Sequence, residues 1–241
     1  MSLAPTFKTF GPHAVLINWP SEISEDIHEQ IVFWQELLRE QFTQQIIDLV
    51  PSYAEIAVYL DNDILAEEFI RTLLKLKVVP SERQQKSSRL IKIPVCYDEL
   101  HAPDLRALAQ ANGLTPAEVV ELHTTPIYTV YFIGFLPGFP YLGGLDPRLF
   151  SPRRGTPRQK VPVGAVGIGG EQTGIYPSSS PGGWQLIGRS PIALFDPYKE
   201  PPTILRAGDR IQLVSISDAD FNTVALQVEQ GVYRLNIETY D

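Results

Sequence analysis

Residues 132–190 constrain the fold more than any other part of this chain. They hold thirteen of the seventeen glycines, interleaved with prolines and short apolar runs. Glycine inside a helix costs about 1 kcal/mol relative to alanine, so this density excludes long helices. It leaves short strands joined by turns, as in a β-barrel or sandwich, a pattern that starts near Tyr128. The same stretch reverses the local charge. Arg148, Arg153, Arg154, Arg158, Lys160 and Arg189 face only Asp146 and Glu171, within a chain of net charge -8. Glycine lets backbone approach a ligand closely, and clustered arginines present planar forks to carboxylate or phosphate. The stretch therefore reads as an anion-handling pocket or basic docking loop, or as a turn-rich barrel with arginines on a solvated surface.

The residues before it read differently. Strands are expected at Thr6–Phe10 and His13–Trp19 around a Gly11-Pro12 turn. Ser24 suits an N-cap, with Glu25 and Asp26 in the first turn where the helix dipole favours anions. Ile27, Ile31, Trp34, Leu38 and Phe42 then repeat at helical spacing. Strands follow at Ile46–Val50 and Glu55–Leu60, then a helix over Ile64–Leu76. Strand, helix, strand, strand, helix is most of a ferredoxin-like split βαβ unit. Its last strand is either Lys77–Val79 or Leu90–Val95. The polar run PSERQQKSSR, residues 80–89, has no apolar period and reads as a linker. The expected division is a small α/β domain over 1–80, a linker over 81–89 and a β-barrel domain over 90–241. Within the latter, Leu90–Tyr97 reads as a strand, Pro103 opens a helix that stops at Gly113, and Thr115-Pro116-Ala117-Glu118 is a capping box.

Several function classes drop out. An acidic chain with a pI near 5.1 repels nucleic-acid phosphate. A single cysteine, Cys96, forms no internal disulfide and points to a reducing compartment. No apolar run approaches the roughly 18 residues of a membrane span, and the N-terminus lacks a signal-peptide core, so a soluble cytoplasmic protein is expected. There is no Walker A pattern, and Gln172 occupies the third glycine position of a would-be dinucleotide fingerprint. His13, His28, His101 and His123 show no metal spacing, so no metal site is expected. Cys96 reads as core. His123 follows a helix and precedes a strand, a place for a general base or for a residue that caps the last carbonyls.

The motifs, taken in order, carry a resemblance. They are Tyr131-Phe132-Ile133-Gly134-Phe135-Leu136-Pro137-Gly138-Phe139-Pro140-Tyr141-Leu142, Pro152-Arg153-Arg154, Pro157-Arg158, Val161-Pro162-Val163-Gly164, Gln172-Thr173-Gly174-Ile175-Tyr176-Pro177, Ser180-Pro181-Gly182-Gly183-Trp184, Ile187-Gly188-Arg189 and Leu194-Phe195-Asp196. With His123 and Pro103-Asp104-Leu105, this run over most of 94–213 resembles the KipI / allophanate hydrolase subunit 1 family. One departure is visible. The family usually has a Gly-Gly-containing stretch before Pro-Asp-Leu, whereas this chain has Asp98-Glu99-Leu100-His101-Ala102, so the loop into that helix is expected to differ.

The resemblance implies an α+β, two-domain fold: a small ferredoxin-like α/β N-terminal domain and a cyclophilin-like β-barrel. It implies ATP-dependent opening of the 5-oxo-L-proline lactam to L-glutamate by a 5-oxoprolinase complex. The partners would be a paralogous barrel protein, of the allophanate hydrolase subunit 2 type, and a third component of the LamB/YcsF type. ATP is used by the complex, with the component that binds it left open. In that setting Arg154 and Arg158 are expected as anion donors, His123 as a proton carrier, Gln172 and Tyr176 as substrate contacts and Trp184 as a pocket wall. Two other family functions stay open: inhibition of a sensor histidine kinase, and the carboxyltransferase half of a urea carboxylase or allophanate-related enzyme.

Overall fold

The computed structural model describes residues 4–76 and 88–240, and the chain divides into two compact units, Met1–Gln85 and Lys86–Asp241. The linker expected over 81–89 lies outside the described residues, apart from Ser88 and Arg89, which already open a strand. The fold is α+β.

In the first unit the hairpin β1 (Thr6–Thr9) and β2 (Ala14–Asn18) precedes helix α1 (Glu25–Gln41), strands β3 (Ile46–Pro51) and β4 (Glu55–Leu60), and helix α2 (Ala66–Lys75). The sheet order is β1-β2-β4-β3, antiparallel throughout. The split βαβ arrangement is present, because β4 lies between β2 and β3. Its outer place beside β2 is held by β1, not by a strand following α2. Leu90–Val95 belongs to the second unit, and 77–79 lie outside the described residues. The helical period is real: Ile27, Ile31, Trp34 and Leu38 of α1, with Phe69 and Leu73 of α2, bury against Val15, Ile17, Ile56 and Val58. Each such side chain contributes about 1.5–3 kcal/mol by leaving water. Ser24 stands at the N-cap of α1, but its side chain makes no capping hydrogen bond.

The second unit starts with β5 (Ser88–Cys96), α3 (Leu105–Ala111) and α4 (Pro116–Thr124). Strands β6 (Ile127–Ile133), β7 (Pro140–Gly143), β8 (Arg158–Val161), β9 (Ala165–Gly169), β10 (Gln172–Ile175), β11 (Ser180–Gly182), β12 (Gln185–Arg189) and β13 (Arg210–Ile216) follow. Helix α5 (Asp218–Glu229) and β14 (Asn236–Tyr240) come last. Seven strands, in the order β12-β9-β10-β7-β6-β13-β5, close on themselves through the pair Arg189↔Cys96 between β12 and β5. β5 runs parallel to β13 from Leu90 to Cys96, while β14 covers the start of its other edge. Alternate residues Ile91, Ile93 and Val95 meet Val130, Val166, Ile168, Ile187 and Leu213 in the barrel core. The capping box of α4 forms in full, with Thr115 Oγ1 accepting from Glu118 N at 3.2 Å and Glu118 accepting from Thr115 N at 2.7 Å. The expectation of strands alone after Tyr128 overlooked α5. Its signal was in the sequence: Ser217 accepts from Asp220 N at 3.1 Å, and Asp218 and Asp220 fill the first turn.

Candidate functional site

Glycine in β9 and β10 serves packing. Gly167 pairs with Gly174 and Gly169 with Gln172, so these four residues share one face of the wall. Thr173, Ile168 and Val166 point the other way, and the two apolar residues join the barrel core. A Cβ at Gly169 would strike Trp184, one at Gly167 would crowd it, and one at Gly174 would strike the Pro140 carbonyl and press on Phe139. Trp184 and Phe139 therefore lie on a floor that only glycine leaves open. They form a second apolar cluster, with Val161, Ala165, Tyr176 and Leu186, on the outer face of the barrel.

The rings in this cluster meet edge to face. Phe139 lies 5.2 Å from Tyr176 and 5.4 Å from Trp184 between centroids, and Tyr176 lies 6.3 Å from Trp184. Tyr141 stacks on Phe132 at 4.3 Å and approaches Trp184 at 6.2 Å. Burial raises the Tyr141 and Tyr176 phenols above their ordinary range, so both stay protonated donors. Phe135 completes the edge of the cluster. It is 61% exposed, has φ +64°, and sits 5.6 Å from Phe139. A bulky residue held in the left-handed region costs about 1–3 kcal/mol, a kind of strain that clusters at functional loops. Sequence reasoning quoted Phe135 within a motif but gave it no role, since neither exposure nor φ is readable from residue type.

Two polar features adjoin the rings. The Gln172 Oε1 atom is buried and has no hydrogen-bond partner among the described residues. Arg153 places its guanidinium 5.9 Å from the Trp184 ring centroid.

Arg154 and Arg158, expected as free anion donors, converge on an internal anion. Arg158 Nη2 donates to Asp104 Oδ1 at 2.6 Å and Arg154 Nη1 donates to the same oxygen at 3.2 Å. Asp104 Oδ2 accepts from Leu186 N at 2.6 Å, and Asp104 N donates to Leu186 O at 2.9 Å. The buried carboxylate thus clamps the start of α3 to β12. The pairing was invisible in sequence because the acid lies 50 and 54 positions upstream of the arginines. Arg158 Nη1 also reaches Trp184 O at 3.5 Å, so the clamp braces the aromatic cluster from one side.

His123, expected as a proton carrier, is fully buried in the barrel. Thr173 Oγ1 spends its proton on Gly167 O at 3.0 Å, so it accepts from His123 Nε2 at 2.9 Å. Nδ1 must then accept from Tyr97 Oη at 2.8 Å. Both ring nitrogens are engaged, and burial lowers the imidazole pKa to about 3. The neutral ring ties α4 to Tyr97, just past the end of β5, and to β10. The ring does not cap the last carbonyls of α4, since Nδ1 and Nε2 go to side chains. The six expected site residues thus divide among three places: Gln172, Tyr176 and Trp184 on the outer aromatic floor, Arg154 and Arg158 at the clamp beside it, and His123 in the core.

Comparison with known proteins bears on what this arrangement serves. Residues 5–205 match the family described as carboxyltransferase domain, subdomain C and D. The chain belongs to that family. The resemblance read from residues 94–213 therefore holds, and it extends through the first unit, where sequence matched only in layout. The family includes relatives of nearly the same length. The chain is 38% identical over 233 residues to the 5-oxoprolinase B subunit of Bacillus subtilis, covering 92% of this chain and 97% of that one. It is 44% identical over 205 residues to the 5-oxoprolinase B subunit of Escherichia coli O157:H7, covering 85% and 93%. In fold it resembles the crystal structure of Kluyveromyces lactis urea carboxylase, with a TM-score of 0.83 at 18% identity over 98% of this chain. It spans 24% of that much longer chain.

Proposed function

We propose that this chain is the B subunit of an ATP-dependent 5-oxoprolinase, acting in a complex that opens 5-oxo-L-proline to L-glutamate. The observation that carries the reading is identity of 38–44% over nearly the whole length of relatives named as 5-oxoprolinase B subunits. The partners are a paralogous barrel protein and a LamB/YcsF-type protein, and ATP is consumed by the assembly. The first unit is read as ferredoxin-like and the second as a cyclophilin-like barrel. Urea carboxylase likeness at 18% identity supports a shared fold and no shared substrate.

The site follows from the aromatic floor. A buried amide oxygen without a donor is an unmet demand, and a lactam N–H is a donor of the right kind for Gln172 Oε1. Phe135, exposed above the buried Trp184, offers an apolar face to a five-membered ring, and Arg153 offers a cation to its carboxylate. A lactam is an unreactive amide, and activating its oxygen with phosphate develops negative charge that fixed donors stabilise. Tyr141 and Tyr176, protonated at neutral pH, are donors within the same cluster.

The test is reconstitution with the two partner proteins and measurement of ATP-dependent glutamate release. Turnover by the three together and none by this chain alone is expected. Gln172→Leu should lower kcat/KM of the complex at least about tenfold while the thermal midpoint of the chain stays near wild type. Turnover by the isolated chain would refute its role as one part of a complex, and an unaltered Gln172→Leu complex would move the site away from this floor.

A further inference from the structure

The loop Asp98–Ala102 leads into a mixed cluster at the C-terminal ends of β5 and β13. The Cys96 thiol, an imidazole nitrogen of His101 and a carboxylate oxygen of Asp218 all lie within 4.8 Å of one another. His101 Nε2 and Asp218 Oδ1 are 2.8 Å apart, held by a hydrogen bond. Asp98 stands beside them, its Oδ2 accepting from Asp218 N at 3.1 Å. The supports are firm. His101 N donates to Asp98 O at 2.8 Å, closing the loop into a turn, and the imidazole packs on Phe221 at 4.2 Å between centroids. Cys96 is fixed in the barrel wall by pairing with Ile216 on one side and Arg189 on the other.

We propose that Cys96, His101 and Asp218 form a binding site for a zinc-class divalent cation, with Asp98 available as the fourth ligand. One thiolate, one imidazole and carboxylate oxygens are the donor set that zinc accepts in tetrahedral geometry. Bond lengths of about 2.0–2.3 Å put tetrahedral ligands about 3.3–3.8 Å apart, so the His101–Asp218 pair opens from its 2.8 Å while any separation nearer the 4.8 Å limit closes. The cation takes the place of the proton now shared by His101 Nε2 and Asp218 Oδ1, and that proton passes by way of solvent to His101 Nδ1, so the imidazole ligates neutral. The thiol releases its own proton to solvent as the metal–sulfur bond forms, and affinity therefore rises with pH. Cys96 is fully buried, but Asp98 and Asp218 are open to solvent and give a way in. Bound there, the ion would fasten the start of α5 to the seam where the barrel closes. The inference is independent of the proposed reaction, since none of these residues belongs to the aromatic floor.

Cobalt is the probe. The metal-free full chain is titrated with Co2+ and followed by absorbance, then challenged with Zn2+. One equivalent of Co2+ should bind with a thiolate-to-cobalt charge-transfer band, which Zn2+ abolishes. Cys96 is the only cysteine, so that band reports this site alone. His101→Gln and Asp218→Ala should each weaken Co2+ binding about tenfold or more, since loss of even an outer-shell partner of a ligand costs about that much. Asp218 is half-exposed, so its variant decides the matter even if His101→Gln fails to fold. Absence of the charge-transfer band overturns the proposal. So does a band whose affinity is unchanged in Asp218→Ala, since the thiol would then be binding without the cluster.

Discussion

His123 is a residue whose chemistry is fixed by what surrounds it. Burial holds its folded-state pKa at about 3, against an ordinary value of 6.5. Between those values the unfolded chain takes up a proton that the folded chain refuses. Its contribution to stability is therefore complete above pH 6.5 and is lost as pH falls toward 3, by up to about 5 kcal/mol. Thermal midpoints measured from pH 7 to pH 4 should fall more steeply for wild type than for His123→Gln. Equal slopes would show that the ring is solvated. Asp104 makes the complementary prediction. Removing this carboxylate leaves two guanidinium groups and Leu186 N without their partner, a loss of about 3–5 kcal/mol for a buried ion cluster. Arg158, 22% exposed at the side chain, and Arg154, 37% exposed, should cost progressively less as alanine, the latter about 1 kcal/mol or below. Urea titrations of the three variants check the order Asp104→Ala, Arg158→Ala, Arg154→Ala. At this scale sequence picked residue types well and partners badly. It saw arginines in excess and left a ligand site and a solvated surface both open, whereas the acid that answers two of them came from a helix start far upstream. It saw His123 between helix and strand, but not the Tyr97 and Thr173 side chains that use up both its nitrogens.

Elements were more legible than residues, because period and caps are local. The apolar repeat from Ile27 to Leu38, the capping box at Thr115 and the strand at 55–60 stand where pattern put them, and the strand expected at 46–50 runs one residue further, to Pro51. Pattern did not show which face of β9 and β10 is core, because alternating glycine has no hydropathy signal. That face is the glycine floor, and it is testable. Gly169→Ala should push the Trp184 indole off β9 and reduce reconstituted activity, while Thr115→Ala should cost about 1 kcal/mol of stability and leave activity intact. Near-ultraviolet circular dichroism and turnover, measured on both variants, separate the two effects. Gly164 is a stricter case. Its φ is +80°, and a Cβ would collide with the Ser190 carbonyl, a backbone atom with nowhere to go. Gly164→Ala should destabilise the chain by about 3 kcal/mol or more.

Across the whole molecule, two separate apolar cores mark two units, and no helix of the described residues is long and apolar enough to cross a membrane. Residues 86–241 made alone should melt in one cooperative transition, as a domain with its own core does. A broad, non-cooperative melt would show that the barrel needs the first 85 residues. Topology was the least legible scale. Sequence offered Leu90–Val95 as a possible last strand of the first unit, yet β5 is where the barrel begins and ends, touching β12, β13 and β14. That position has a consequence during synthesis. A ribosome adding about 5–20 residues per second delivers Ser88–Cys96 long before Arg210–Ile216, the strand that runs beside it. For a time of order ten seconds at that rate, the apolar side of this strand has none of its final strand neighbours. The nascent chain must wait in a state that chaperones would recognise, and its safety then depends on translation speed as much as on the finished architecture.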